Sequence, residues 1–288
     1  MRPIRKGVLV LVLSLSMALA QDKPATPAGK YQALLKERQD GPDDSLKAST
    51  PEERKQIQAR LATLPMRFVE LAEQNPKDPV AVEALIQTIS WVNGTAFPVG
   101  GKDSPGTRAL ALLQRDHVQS DKLGRVCQQV LFGFHKSHGD FLRAVLEANP
   151  HRQVQALACL SLAQYLNDRL NRLELLPGQP DLIARYHGVF GKEYVEELRR
   201  QDRAVVAREA ETLFTRAADE YSDVEIPVTY FGSGGTVGEK ARADLFKIRN
   251  LAVGREAPDI EGEDQDGKRF KLSDYRGKVV LLDIWHRL

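Results

Sequence analysis

Thr50-Pro51-Glu52-Glu53-Arg54-Lys55-Gln56-Ile57-Gln58-Ala59-Arg60-Leu61-Ala62-Thr63-Leu64-Pro65-Met66-Arg67-Phe68-Val69-Glu70-Leu71 is the stretch that decides the fold class. Thr50 is placed to cap a helix, Pro51 suits the first helical position, and Glu53 is spaced to close a capping box. Behind that start, Ile57, Leu61, Leu64, Phe68 and Leu71 recur at steps of four and three, which lays one apolar stripe along a helix. Pro65 falls inside the stripe and is expected to kink or split the helix, because it lacks a backbone donor. Asn75-Pro76 ends the pattern.

The same grammar continues down the chain. Asp78-Pro79 opens a helix that turns Val82, Leu85, Ile86 and Ile89 inward, and Asn93-Gly94 stops it. Further helices are predicted over Pro105–Arg115, Asp121–Phe134, Asp140–Glu147, Arg152–Asn171, Pro180–Phe190, Tyr194–Tyr221 with a break near Arg200, and Gly238–Asn250. Two similar segments, Phe68-Val-Glu-Leu-Ala-Glu-Gln and Phe141-Leu-Arg-Ala-Val-Leu-Glu-Ala, each run into Asn-Pro and then another helix. They hint at helical-hairpin repeats, but the spacing is irregular, so a helical bundle and an irregular hairpin array both fit.

The N-terminus reads as an export signal: Arg2, Arg5 and Lys6 precede an apolar run from Val8 to Leu19, and Ala18-Leu19-Ala20 offers small residues for cleavage. A run of about twelve residues is short of the roughly twenty needed to cross a bilayer, so membrane attachment requires the signal to stay uncleaved. The expected division is 1–20 signal peptide, 21–29 flexible leader, 30–251 helical domain and 252–288 a second fold fragment. The chain has 41 basic and 39 acidic side chains; without the three basic residues of the signal, 38 face 39. Such a balance argues against electrostatic capture of nucleic acid. Partners are otherwise open, a protein partner through the helical domain being the one anticipated.

After Leu251 the pattern changes. Residues 253–258 form a linker, and Asp266-Gly267 is a hairpin turn between Ile260–Asp264 and Lys268–Lys271. Leu272 to Arg276 is a short turn with Ser273 as its expected cap. Val279 to Ile284 is apolar without alternation, as in a strand buried on both faces of a parallel sheet.

Ala257-Pro258-Asp259-Ile260, Asp264-Gln265-Asp266-Gly267-Lys268, Phe270 and the run from Leu272 to Trp285 resemble the opening of exported thioredoxin-like proteins. This redoxin group includes TlpA-type thiol–disulfide oxidoreductases and peroxiredoxins of the AhpC/TSA type. The resemblance covers roughly Gly254 to Trp285 and implies an incomplete α/β thioredoxin fold behind the helical domain. It places Asp283 where the family keeps a buried acid and Trp285 on the aromatic that walls the active site. In the family a Trp-Cys-x-x-Cys follows; here Leu288 stands at the Trp position, and His286-Arg287-Leu288 departs from the pattern abruptly, which favours a frameshift or premature stop. Exchange needs a thiolate nucleophile, so the expectation is a truncated member without catalytic residues and without enzymatic activity. The alternative is a helical binding or scaffold protein of the cell envelope.

Other constellations point to no site. Cys127 and Cys159 lie among apolar neighbours in predicted helices, and buried free thiols are expected ahead of a disulfide. His135, His138, Asp140 and His151 hold no convincing metal spacing, since Gly139 is expected to break the helix; histidines at such an end are expected to face carbonyls. Gly232-Ser233-Gly234-Gly235-Thr236 fits neither phosphate-loop pattern, and Thr236 is expected to cap the next helix. Asn93-Gly94-Thr95 matches the N-glycosylation pattern. Neither cofactor nor metal is expected.

Overall fold

The computed structural model describes residues 26–94, 104–133, 135–228, 234–252, 254–264 and 266–282. The protein is mainly helical. The described residues form eleven helices: α1 (Pro27–Lys47), α2 (Pro51–Gln74), α3 (Pro79–Gly94), α4 (Pro105–Asp116), α5 (Leu123–Val130), α6 (Lys136–Ala148), α7 (Arg152–Leu175), α8 (Pro180–Phe190), α9 (Lys192–Arg199), α10 (Arg203–Glu220) and α11 (Val237–Asn250). One antiparallel hairpin follows, β1 (Glu261–Glu263) and β2 (Arg269–Lys271), and then a 3-10 turn over Leu272–Tyr275.

Helix starts are written in short polar side chains. The hydroxyls of Thr26, Thr50, Ser104 and Thr236 accept from the amides of Gly29, Glu53, Thr107 and Glu239. Each satisfies one of the donors a helix leaves open at its first turn. Thr26 followed by Pro27 starts α1 inside the stretch expected to be a flexible leader. The predicted helix over Asp140–Glu147 in fact starts at Lys136, because Gly139 does not break it. Gly139 lets α6 approach α7 instead: a Cβ there would lie 2.7 Å from Cε1 of Tyr165.

Pro65 does not split α2 either. Leu64, Pro65 and Phe68 are buried, and the Thr88 hydroxyl of α3 donates to the carbonyls of Pro65, at 3.2 Å, and Ala84, at 3.1 Å. Burial of Leu64, Pro65 and Phe68 against the neighbouring helices holds α2 together through a residue that removes one rung of its ladder.

From α1 to α7 the helices stack in a line. Each packs against the next but one: α1 on α3, α2 on α4, α3 on α5, α4 on α6, and α5 on α7. Consecutive packing of α1 with α2, α2 with α3, α3 with α4 and α6 with α7 makes this an irregular helical-hairpin array, in which contacts run between neighbours. The two Asn-Pro segments noted in the sequence are the corners of the α2–α3 and α6–α7 hairpins. At the second, buried Asn149 donates to the carbonyls of Val118 and Ser120 and accepts from the His151 amide. α10 and α11 then pack on α7 and extend the same core. The α8–α9 pair has a smaller core of its own with the end of α7, built on Leu173, Leu176, Tyr194, Val195 and Leu198.

The hairpin forms as expected, in the register Glu261↔Lys271 and Glu263↔Arg269, with Gly267 at φ 76° in its turn. Ser273 is not the cap of the following turn. The Asp259 carboxylate accepts from the Ser273 amide, at 2.8 Å, and hydroxyl, at 2.7 Å, clamping the turn to the start of the hairpin. Val279–Leu282 is not the buried strand foreseen: it forms no strand, and Leu281 is 92% exposed. A strand needs a ladder partner, and β1 pairs only with β2 in this sheet.

Candidate functional site

Asp283 and Trp285, the positions that match the redoxin pattern, lie outside the described residues, as do Gly232, Ser233 and Thr95. Thr236 caps α11 in a full capping box with Glu239, so the glycine-rich segment ends in a helix start. No described helix is long and apolar enough to cross a membrane.

Cys127 and Cys159 are both buried and unbonded to each other. Cys127 sits inside α5 against the core, and burial pushes its thiol far above the ordinary range. Cys159 in α7 donates to the Leu213 carbonyl at 3.4 Å, and burial raises it to about 12. A thiol attacks a disulfide only as an accessible thiolate. Neither sulfur meets either condition in the folded chain.

The histidines gather at the start of α6, where the helix dipole is positive, not at a helix end that exposes carbonyls to them from the dipole. His138 is buried; its Nδ1 lies 3.1 Å from the His135 carbonyl, and its ring stacks with that of His135 at 6.2 Å between centroids. Burial chiefly lowers its pKa to about 4, against the hydrogen bond to His135, with the His135 and Arg169 charges adding to the fall. Asp140 is engaged by Lys136, and His151 is exposed at the N-cap of α7. Among the described residues no group of three or more His, Cys, Asp or Glu side chains is arranged to hold a metal ion.

The densest polar constellation was not legible in the sequence, where Glu193 to Glu211 reads as a solvated charged face. Arg169 of α7 is 1% exposed, the largest side chain fully inside the molecule. It donates to the Tyr165 hydroxyl, at 3.0 Å, and to Glu197 of α9, at 2.7 Å. Gln201, turned with its carbonyl inward, accepts from Arg169 Nε at 3.2 Å and from Nη2 at 2.8 Å. The guanidinium also lies over the rings of Tyr165 and Tyr194, at 5.3 and 5.8 Å. The Tyr165 hydroxyl donates in turn to the His135 carbonyl at 3.0 Å, and burial raises its phenol to about 12. One turn on, Arg172 pairs with Asp168 and donates to the Tyr194 hydroxyl at 2.9 Å.

Tyr165, Glu197 and Gln201 surround the Arg169 guanidinium with acceptors, which is how a buried charge is made tolerable. These contacts tie α9 and the start of α6 to α7. A surface depression of about 540 Å³ between the end of α1 and the start of α2 mixes Asp44, Lys47, Glu53 and Arg60. Those charges of both signs do not converge on one point as a ligand pocket's do.

No family model, curated protein or solved structure matches this chain.

Proposed function

We propose that this chain carries the helical N-terminal part of an exported thioredoxin-like protein of the redoxin group, joined to the lead-in of its redox domain, and that residues 1–288 perform no thiol–disulfide exchange. The observation that carries the reading is the segment from Asp259 to Tyr275. There the residues that resemble the redoxin opening form a hairpin, and Asp259 locks Ser273 of the succeeding turn to its base. That local fold supports the resemblance on which the assignment rests. The only sulfurs for exchange are Cys127 and Cys159, and both are buried and held protonated. The export signal read at Arg2–Ala20 supports a place in the periplasm or cell envelope.

Insulin reduction by dithiothreitol tests the chemistry: the purified chain should add nothing to the buffer rate, and any catalysed turnover would overturn it. The gene tests the ancestry. Reading the DNA beyond codon 288 in all three frames should reveal Trp-Cys-x-x-Cys close by, and its absence from every frame would remove the family assignment.

A second reading, a helical binding or scaffold protein, is favoured by the stacked packing of α1 to α7. Arrays of this kind present a continuous face built from alternate helices.

A further inference from the structure

Unlike α2, α4 and α11, α6 starts without a side-chain cap. Three donors converge instead on the backbone carbonyl of His135: the His138 amide at 3.0 Å, His138 Nδ1 at 3.1 Å and the Tyr165 hydroxyl of α7 at 3.0 Å. The Tyr165 oxygen in turn accepts from Arg169 at 3.0 Å. His138 is therefore one end of a chain of hydrogen bonds whose other end is the buried guanidinium. Its ring is buried in the turn between α5 and α6, where a Cβ on Gly133 would collide with it.

This geometry fixes where a further proton can go. A carbonyl oxygen only accepts, so Nδ1 carries the ring hydrogen and Nε2 is the nitrogen left to be protonated. A proton there would place a full charge inside the protein. The charged and titratable groups that face the ring are His135, stacked on it, and Arg169 beyond Tyr165 on α7. α4 and α5 also pack on α6 and add no charge to those acting on the ring. On α6 itself Asp140 is engaged by Lys136, and Arg143 by Glu209 of α10. The positive end of the α6 dipole opposes a cation as well. Burial, with the His135 and Arg169 charges, keeps the folded ring neutral down to about pH 4, against the hydrogen bond to the His135 carbonyl. In water the same ring takes its proton near pH 6.5. Beyond its first turn α6 is held by other means, since Phe141, Leu142, Val145 and Leu146 are buried.

We infer that His138 is an acid-released latch: protonation at Nε2 expels its ring from the α5–α6 turn and frees the first turn of α6 from Tyr165 of α7, while the rest of the helical array stays folded. The latch lies wholly within the array and stands apart from the redoxin reading.

Amide hydrogen exchange of the full chain, read by mass spectrometry and corrected for the intrinsic effect of pH, tests it. Opening coupled to this protonation should lower the protection of residues 136–140 about twentyfold between pH 7 and pH 5, with α2 and α3 unchanged. His138→Gln puts a neutral amide in place of the ring and should hold that protection constant with pH. Should the variant not fold, the parent answers through its ring nitrogens. Of six histidines, one should show the Nδ1–H tautomer by nitrogen NMR at pH 7 and take up its second proton only as the first turn of α6 opens. The inference fails if protection at 136–140 is flat with pH in the parent, if it falls equally in His138→Gln, or if α2 and α3 lose protection together with it. It fails too if no ring shows the Nδ1–H form, or if that ring titrates near pH 6.5 with the turn still closed.

Discussion

His138 is a base that folding strips of its charge. Its pKa falls from an ordinary 6.5 to about 4, with burial the leading cause. A base with a depressed folded-state pKa contributes fully above 6.5, where neither state is charged. Between 6.5 and 4 the unfolded chain takes up the proton and the folded chain does not, so stability falls as pH falls through this window. The full span amounts to about 3 kcal/mol. Urea midpoints measured from pH 7 down to pH 4 should drop along this slope, and His138→Gln should flatten it. An unchanged slope in that variant would assign the acid sensitivity to the carboxylates instead. The sequence exposes His138 as a histidine near a helix end but gets the end wrong, because Gly139 reads as a breaker. Only the tertiary contact shows otherwise: a glycine's missing side chain is as useful for bringing Tyr165 close to α6 as for ending a helix. The thiols were readable at this scale, since apolar neighbours at helical spacing announce burial for Cys127 and Cys159 alike.

Among the elements, α9 depends most on a single polar contact. It is short, and its apolar face of Tyr194, Val195 and Leu198 is small. Glu197 supplies the carboxylate that balances Arg169 in α7. Glu197→Ala leaves a guanidinium in the interior with only neutral partners, Tyr165 and Gln201. Loss of a charged hydrogen bond of this kind costs about 1.5–3 kcal/mol, and the loss should be local. Hydrogen exchange should quicken through α8 and α9 while α2 and α3 keep their protection. Quickening spread evenly over all helices would mean that the junction belongs to the main core. Element existence was readable from caps and periodicity: Thr50, Asp78-Pro79 and Thr236 mark starts that the structure keeps. The junction was not, because Glu197, Tyr194 and Arg169 are 28 residues or fewer apart in a region where every residue type also suits a solvated helix. Nothing in a periodicity states which of many arginines turns inward. Pro65 fails for a related reason: its cost is intrinsic to α2, but its compensation comes from burial against other helices.

At the scale of the molecule, the chain divides by the kind of core it can build. From α1 to α11 apolar stripes meet other stripes, and the line of stacked helices buries a continuous interior with a satellite at α8–α9. Among the described residues beyond Leu251 no comparable burial occurs. The hairpin side chains are mostly exposed, and Val279 and Leu281 stand in solvent. The apolar run reads as a strand from its own composition, but its described part forms none, since pairing depends on other strands. Two-stranded hairpins are marginal by themselves, so the tail should open far more readily than the array. Trypsin has Arg255, Lys268, Arg269, Lys271, Arg276 and Lys278 available there, all exposed. Brief digestion should remove the tail and leave a fragment ending at Arg249 or Arg255, whose thermal unfolding matches that of the uncut chain within about 2 °C, because the lost residues add little to the buried core. A full-length chain that resists trypsin as long as the array does, or a trimmed fragment that melts well below the parent, would show that the tail is packed onto the helices and shares their stability.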